Sequence, residues 1–437
     1  MKRRRRLKKN IKLLLIIIIG IIIYLFISNI LSNNKKDNHQ KTDILIDKIL
    51  SKIDDSSIDK TFLLWINDNY SDVLINLNKS LENDNYQYNT WHKITNNSYF
   101  VLRDLYNKKY QNNNRVKIVD NKKENTMSFV GDVSLADNWY IMPKYDERGK
   151  GIYGILSEEV VKIMTESDIM VANSEFTISN RGEKIPNKYY TFRASPKRLP
   201  IYNEMGVDLV TLANNHVYDF GKDAFYDMLD SLNEYKIPYI GAGKNIEEAM
   251  EPYYFIIGGY KIAFINATRA EKYILTPEAT ETEGGVFRCY DPTNLIALIK
   301  NTKATSDYVI TLIHWGKEYS HDLEEVQKTT SKMYIDAGSD VIIGTHAHVL
   351  QGIEFYNDKP IIYNLGDFIF NEESKDTGIF QIKMRDNKIE YYFIPAYQKN
   401  EYTSLLKENE KQRLITNMNS WSINAIIDSE GQIKSTN

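Results

Sequence analysis

Asp132, Asn173, Glu175, Asn214, Asn215, His216, His314, His346 and His348 are the residues of this chain whose types and placement could do chemistry. Each follows a short apolar run: Asp132 comes after MSFVG, Asn173 and Glu175 follow DIMVA, Asn214 to His216 follow VTLA, His314 follows VITLI, and His346 and His348 follow VIIGT. The chain has seven histidines, and four of them occupy such positions. Carboxylate, amide oxygen and imidazole together suit Mn, Fe or Zn better than Ca or Mg, which prefer all-oxygen shells. His346-Ala347-His348 alone is a weak signal. In an extended segment, however, residues i and i+2 point to the same side, so both imidazoles would face one centre holding one or two divalent metal ions.

Strands must carry these residues to one place. The runs MSFVG, DIMVAN, VDLVTLAN, PYIGAG, KIAFINA, DYVITLIHWG, SDVIIGTH and KPIIYNLGDFIF are rich in β-branched residues and alternate with longer helical patterns. That alternation predicts an α/β architecture in which sheet layers are covered by helices. In open α/β sheets, ligands gather at the carboxyl ends of strands, so residues far apart in sequence can converge on one crevice.

The N-terminal part has a different texture. Eight Lys and Arg fall within residues 1–12, and no charged residue occurs from Leu13 to Asn34. This predicts a basic cytoplasmic tail (1–12) and a transmembrane signal anchor (13–31), long enough at about 1.5 Å per residue to cross roughly 30 Å of hydrocarbon. A cleaved signal peptide is the alternative, but no A-x-A-like site follows the apolar run. A polar linker (32–41), a small helical stalk (42–124) and the main domain with a C-terminal β extension (125–437) would then lie outside the cell membrane. Removing the tail's eight charges from 55 Lys and Arg leaves 47 against 58 Asp and Glu, a net −11. So acidic an exported part excludes a nucleic-acid binder and requires any anionic partner to be met locally, by metals or a few arginines. Cys289 is the one cysteine, which rules out an internal disulfide and a Cys-based zinc site.

The motifs GDVSL (131–135), NSE (173–175), FRASP (192–196), LANNHVYDFG (212–221), GAGK (241–244), HWGKEY (314–319), GTHAHVLQGIE (344–354) and YNLGDFIFN (363–371) occur in this order. With them the chain resembles the CapA-type family of poly-γ-glutamate capsule biosynthesis proteins, whose domain is similar to the calcineurin-like metallophosphoesterases. The resemblance implies a layered α/β sandwich, a metal-dependent hydrolase-like site, and as partners an anionic cell-surface polymer, poly-γ-glutamate, and capsule synthase subunits. It also implies roles. Asp132 and His348 would bind a first metal and Glu175 would bridge to a second, which Asn215, His314 and His346 would complete. His216 would be the acid histidine and Asp219 its orienting carboxylate, while Arg193 and Asn214 would contact substrate.

Each role has a structural alternative: Asp132 could cap a helix, Arg193 could belong to a surface ion pair, and Asn214 could close a turn. For Trp315, Glu318 and Asp367 a structural role is at least as good a reading. Phosphoesterases carry D-x-H at the first strand, whereas this chain has Asp132-Val133-Ser134. Ser174, Ala347 and Asp367 stand where the capsule family is expected to have Leu, Pro and Asn. The serine leaves the first metal short of an imidazole and opens two other functions: a non-catalytic capsule assembly or export subunit with a vestigial metal site, and a surface phosphoesterase unrelated to capsule.

Overall fold

The computed structural model describes residues 40–437 other than 54, 56, 83–88, 121, 272–274, 386–387 and 437; before residue 40 it describes only 23–25 and 28. Among the described residues no helix is long and apolar enough to cross a membrane. The anchor expected at 13–31 and the tail at 1–12 fall almost wholly outside the described residues. The chain divides into two compact units, Met1–Asn107 and Lys108–Asn437.

In the first unit, residues 40–50 are helical, followed by helices Lys60–Asn69, Val73–Glu82, Thr90–Thr95 and Tyr99–Tyr106. Asp59 starts the Lys60 helix by accepting the Phe62 amide at 2.7 Å, and Ser98 does the same for Val101 in the last helix. Their apolar faces close on Phe62, Leu63, Ile66, Leu77, Trp91 and Leu102. No histidine–carboxylate cluster is found here among the described residues.

The second unit is built from two large sheets. One runs, edge to edge, through Ala425–Ile427, Gln432–Ser435, Lys388–Gln398, Lys375–Arg385, Glu124–Val133, Ile169–Ser174, Leu209–Thr211 and Tyr239–Ile240, with Asp367–Ile369 also pairing to Glu124–Val133. The other runs through Val116–Ile118, Tyr253–Ile257, Tyr260–Thr268, Tyr308–Trp315, Val341–His346, Lys359–Ile362 and Ile353–Tyr356. Side-chain alternation along each strand divides the residues between two faces. Met127, Phe129 and Val171 of the first sheet meet Phe255, Phe264 and Ile310 of the second in a shared core. Val130, Met170 and Val210 point the other way, under helices Glu158–Glu166 and Gly221–Glu234. Ile265, Val309 and Ile342 are covered by helices Thr293–Lys303 and Glu325–Ala337. The result is a helix–sheet–sheet–helix sandwich, in keeping with the layered α/β architecture expected.

Two details depart from the sequence reading. Val116–Ile118 pairs in parallel with Tyr254–Ile256, so the sheet takes up residues from the stretch assigned to the stalk; a three-residue edge strand is too short to announce itself by pattern. After the C-terminal hairpin the chain also forms a helix, Glu408–Trp421, whose Leu414, Ile415 and Met418 enter the core between the sheets.

Candidate metal centre

Parallel pairing aligns the carboxyl ends of the strands. In the first sheet Asp132 stands opposite Asn173 on one side and Asp367 on the other. In the second, His314 stands opposite Thr345, and Trp315 opposite His346. The two sheets meet where the His346 amide donates to Asp132 Oδ2 at 3.1 Å. Close approach here requires glycine: a Cβ on Gly131 would lie 1.9 Å from the Gly366 carbonyl oxygen, which accepts the Asp132 amide at 2.9 Å.

Asp132, Glu175, His314, His346, His348 and Asp367 are all buried. Three overlapping groups, Asp132–Glu175–His314, Glu175–His346–His348 and Asp132–His348–Asp367, each bring their ligand atoms within 4.8 Å of one another. Asn215 Oδ1 lies 2.8 Å from His314 Nε2, and Glu175 Oε1 lies 3.5 Å from the same nitrogen. Asn173 holds the floor, donating to Asp132 Oδ1 at 2.8 Å and to Glu175 Oε2 at 3.2 Å. Glu175 Oε1 and His346 Nδ1 are buried with no hydrogen-bond partner. An unpaired buried carboxylate oxygen and imidazole nitrogen in one cluster are what a divalent cation satisfies, so the residues present fit the expected metal.

The electrostatics divide the histidines. Burial, and then the neighbouring Asp132, push Glu175 well above the usual carboxylate range. Burial likewise raises Asp132 to about 6. His314 and His346 are driven well below the usual imidazole value by burial and by the other histidines, which leaves them neutral, as ligands must be. Burial works against charge on His348 too, but Asp367 and Asp132 override it and lift the ring to about 9.

A cleft of about 240 Å³ opens beside the cluster, with His216 and His348 in its wall. His216 Nδ1 is 2.8 Å from Asp219 Oδ2, and Lys188 pairs with the other oxygen of Asp219 at 2.8 Å. Burial lowers the His216 pKa, with Asp219 opposing. Trp139, Tyr190, Phe192, Tyr319 and Phe370 supply aromatic walls, and Glu318, Glu372 and Glu373 supply the charge. Among the described residues no Lys or Arg lines the cleft.

The family model for "Bacterial capsule synthesis protein PGA_cap" matches residues 126–372, more than half of the chain and all of the centre just described. The chain belongs to this capsule-synthesis family. Among its relatives, the "Capsule biosynthesis protein CapA" of Bacillus anthracis is 28% identical over 62% of this chain and 66% of its own length. The "PGA biosynthesis protein CapA" of Bacillus subtilis (strain 168) is 27% identical over 66% of this chain and 76% of its own. A "Probable polyglutamine synthesis accessory protein" of Mycobacterium tuberculosis is 28% identical over 48% of this chain and 57% of its own. The match thus spans just under two thirds of the Bacillus anthracis protein.

Within this capsule-synthesis domain, the six expected metal residues, Asp132, Glu175, Asn215, His314, His346 and His348, fall together, and His216 and Asp219 pair beside them. Two expected substrate contacts do not point that way. Arg193 lays its guanidinium over the Phe220 ring at 4.2 Å and donates to the Gly182 carbonyl, and it does not line the cleft. The fully buried Asn214 spends its amide on Asn173 Oδ1 and the Ser174 carbonyl while its oxygen accepts the His216 amide, so it closes the turn. His346 and His348 do converge, with ring centroids 6.0 Å apart, but not by strand alternation. The strand ends at His346, and both residues take positive φ, +97° and +57°. Such backbone is uncommon outside glycine and clusters at functional sites. Sequence reasoning missed Lys188 and Lys375 and left Asp367 open, with a structural role at least as good a reading; the Asp in place of an expected Asn was the signal for the last.

Proposed function

We propose that this chain is a metal-dependent hydrolase-like protein of capsule biosynthesis or export, acting on poly-γ-glutamate outside the cell membrane. A single N-terminal span with the basic tail in the cytoplasm would hold it there. The main unit is taken as a calcineurin-like metallophosphoesterase-type sandwich. Family membership, the relatives' names and the basic-then-apolar N-terminus support this reading. The observation that carries it is the pair of unpartnered buried atoms, Glu175 Oε1 and His346 Nδ1, inside a carboxylate–imidazole cluster.

Asp132, Glu175, Asn215, His314, His346 and His348 would hold one or two divalent ions, Mn, Fe or Zn by donor type. When bound, such an ion acts as a Lewis acid on a carbonyl or phosphoryl oxygen. The chain's own contribution is proton handling and water exclusion. A carboxylate only accepts hydrogen bonds, so His216 donates its Nδ1–H to Asp219 and keeps the lone pair on Nε2, which would take a proton from the attacking water and pass it to the leaving group. Phe192, whose ring centre is 4.4 Å from that of His216, shields it from solvent. With no Lys or Arg in the cleft wall among the described residues, the polymer's carboxylates would be met at the metal cluster, and the aromatic walls would pack against its methylene groups.

A non-catalytic assembly subunit is the second reading. It is favoured by Ser134, whose Oγ is buried without a partner where phosphoesterases place an imidazole. The two separate at His216→Asn. An enzyme keeps its metal and its melting temperature but loses about 10²- to 10⁴-fold in hydrolysis or polymer output. Normal polymer from cells carrying His216→Asn would reject catalysis through this histidine.

A further inference from the structure

The cleft wall holds two imidazoles, and both are gripped the same way. His216 donates Nδ1–H to Asp219 Oδ2 at 2.8 Å, and Asp219 is fixed in turn by the Phe192 amide (2.7 Å) and Lys188 (2.8 Å). His348 donates Nδ1–H to Asp367 Oδ1 at 2.7 Å, and Asp367 is fixed by Asn371 Nδ2 and Lys375 Nζ, both at 2.9 Å on its other oxygen. Both aspartates are fully buried, and both lysines lie largely out of solvent, at 7% and 10% side-chain exposure. The second arm was assembled without any i, i+3 spacing: Asp367 lies nineteen residues beyond His348, on a strand that pairs with the strand carrying Asp132.

We infer that Asp367 is a positioning residue for the metal centre, fixing His348 through its Nδ1 proton so that Nε2 is the ring nitrogen presented to the metal and the cleft. Three observations bear on this. Asp367's two oxygens are already engaged, one by His348 and one by Asn371 and Lys375, so its place is behind the imidazole. Asp132 Oδ2 lies 3.6 Å from His348 Nδ1, too far to compete for that proton. The charge on the carboxylate makes the bond about twice as strong as one to a neutral amide. Carboxylates that orient a metal-binding histidine raise its basicity and lock its ring, and losing one costs about 10- to 100-fold in metal affinity. Lys375, held between Asp367 and Glu373 and 4.6 Å over the Tyr319 ring, ties this arm to the cleft mouth.

The metal part of the inference rests on the metal-centre reading above; the orientation of His348 does not. The test uses the purified full-length protein, with Mn²⁺ titrated into wild type, Asp367→Asn and Asp367→Glu, and the histidine ring nitrogens followed by ¹⁵N NMR in the metal-free state. The expected result is a 10- to 100-fold weaker Mn²⁺ Kd for Asp367→Asn at an unchanged melting temperature of the metal-free protein. The His348 Nδ1 signal should move, and Asp367→Glu should recover part of both effects. Wild-type affinity in Asp367→Asn, or unmoved His348 signals, would overturn the inference. A wild-type protein that takes up no metal would instead sink the metal-centre reading, and the NMR arm would still decide the orientation of His348.

Discussion

The two halves of the metal centre are built to different standards. Around His314 the donors expected from the family resemblance are Glu175, Asn215 and His346: a carboxylate, an amide oxygen and two imidazoles driven neutral by burial, with Lys188 on the Asn215 backbone carbonyl. Around His348 the expected donors beyond the shared Glu175 are Asp132 and one imidazole, Ser134 stands where a second imidazole is expected, and Lys375 sits behind Asp367. Divalent ions of the Mn–Zn series bind imidazole well and a neutral hydroxyl poorly. Counting ligand-type residues is therefore not enough: one half would offer two imidazoles and the other a single one, while Glu175 and Asp132 each fall in groups with both His314 and His348. The His314 half should therefore hold its ion tightly and the His348 half weakly.

Glu175→Gln should give the largest effect, since it removes charge from both halves at once. Metal affinity should fall by more than the roughly 100-fold expected for losing an outer partner, read by elemental analysis after dialysis. Retention of both ions by this variant would show that Glu175 bridges nothing. His314→Ala comes next and is the sharper probe of asymmetry. It should empty the tight site and remove the stabilisation a bound ion supplies, about 2.7 kcal/mol at 100 times Kd, whereas His348→Ala should cost less in metal and in melting temperature. Equal losses in the two variants would erase the proposed difference. Ser134→His should move the weak half toward the strong one, raising the metal retained through gel filtration from one equivalent toward two, with some overpacking cost because Ser134 is buried. His321→Ala should be the smallest change. This histidine stacks on Trp421 at 4.1 Å and donates to the Leu350 carbonyl, so its loss should cost about 1 kcal/mol in denaturant unfolding and leave metal content alone.

Much of the fold and the donor set was legible because it depends on strand register. Alternating apolar runs place Asp132, Asn173, His314 and His346 at strand ends, and parallel pairing then brings those ends together whatever the intervening loops do. What was not legible depends on side-chain direction in loops. Lys188 reaches Asp219 across thirty-one residues, and Arg193 turns onto Phe220 although its motif position suggested an anion grip. His346 and His348 meet through left-handed backbone that no period encodes. Asp367 differs from the expected Asn by only a charge, and its consequence appears once the imidazole of His348 is seen 2.7 Å away.

The central claim, a buried centre that holds divalent metal, is tested most directly by stripping the purified protein with chelator, re-equilibrating it with Mn²⁺, Fe²⁺ or Zn²⁺, and measuring metal per chain together with the melting temperature. The account predicts at least one tightly held equivalent and a higher melting temperature on loading, with both gains abolished in Glu175→Gln. A wild-type chain that takes up none of the three ions and melts at the same temperature with or without them would contradict it.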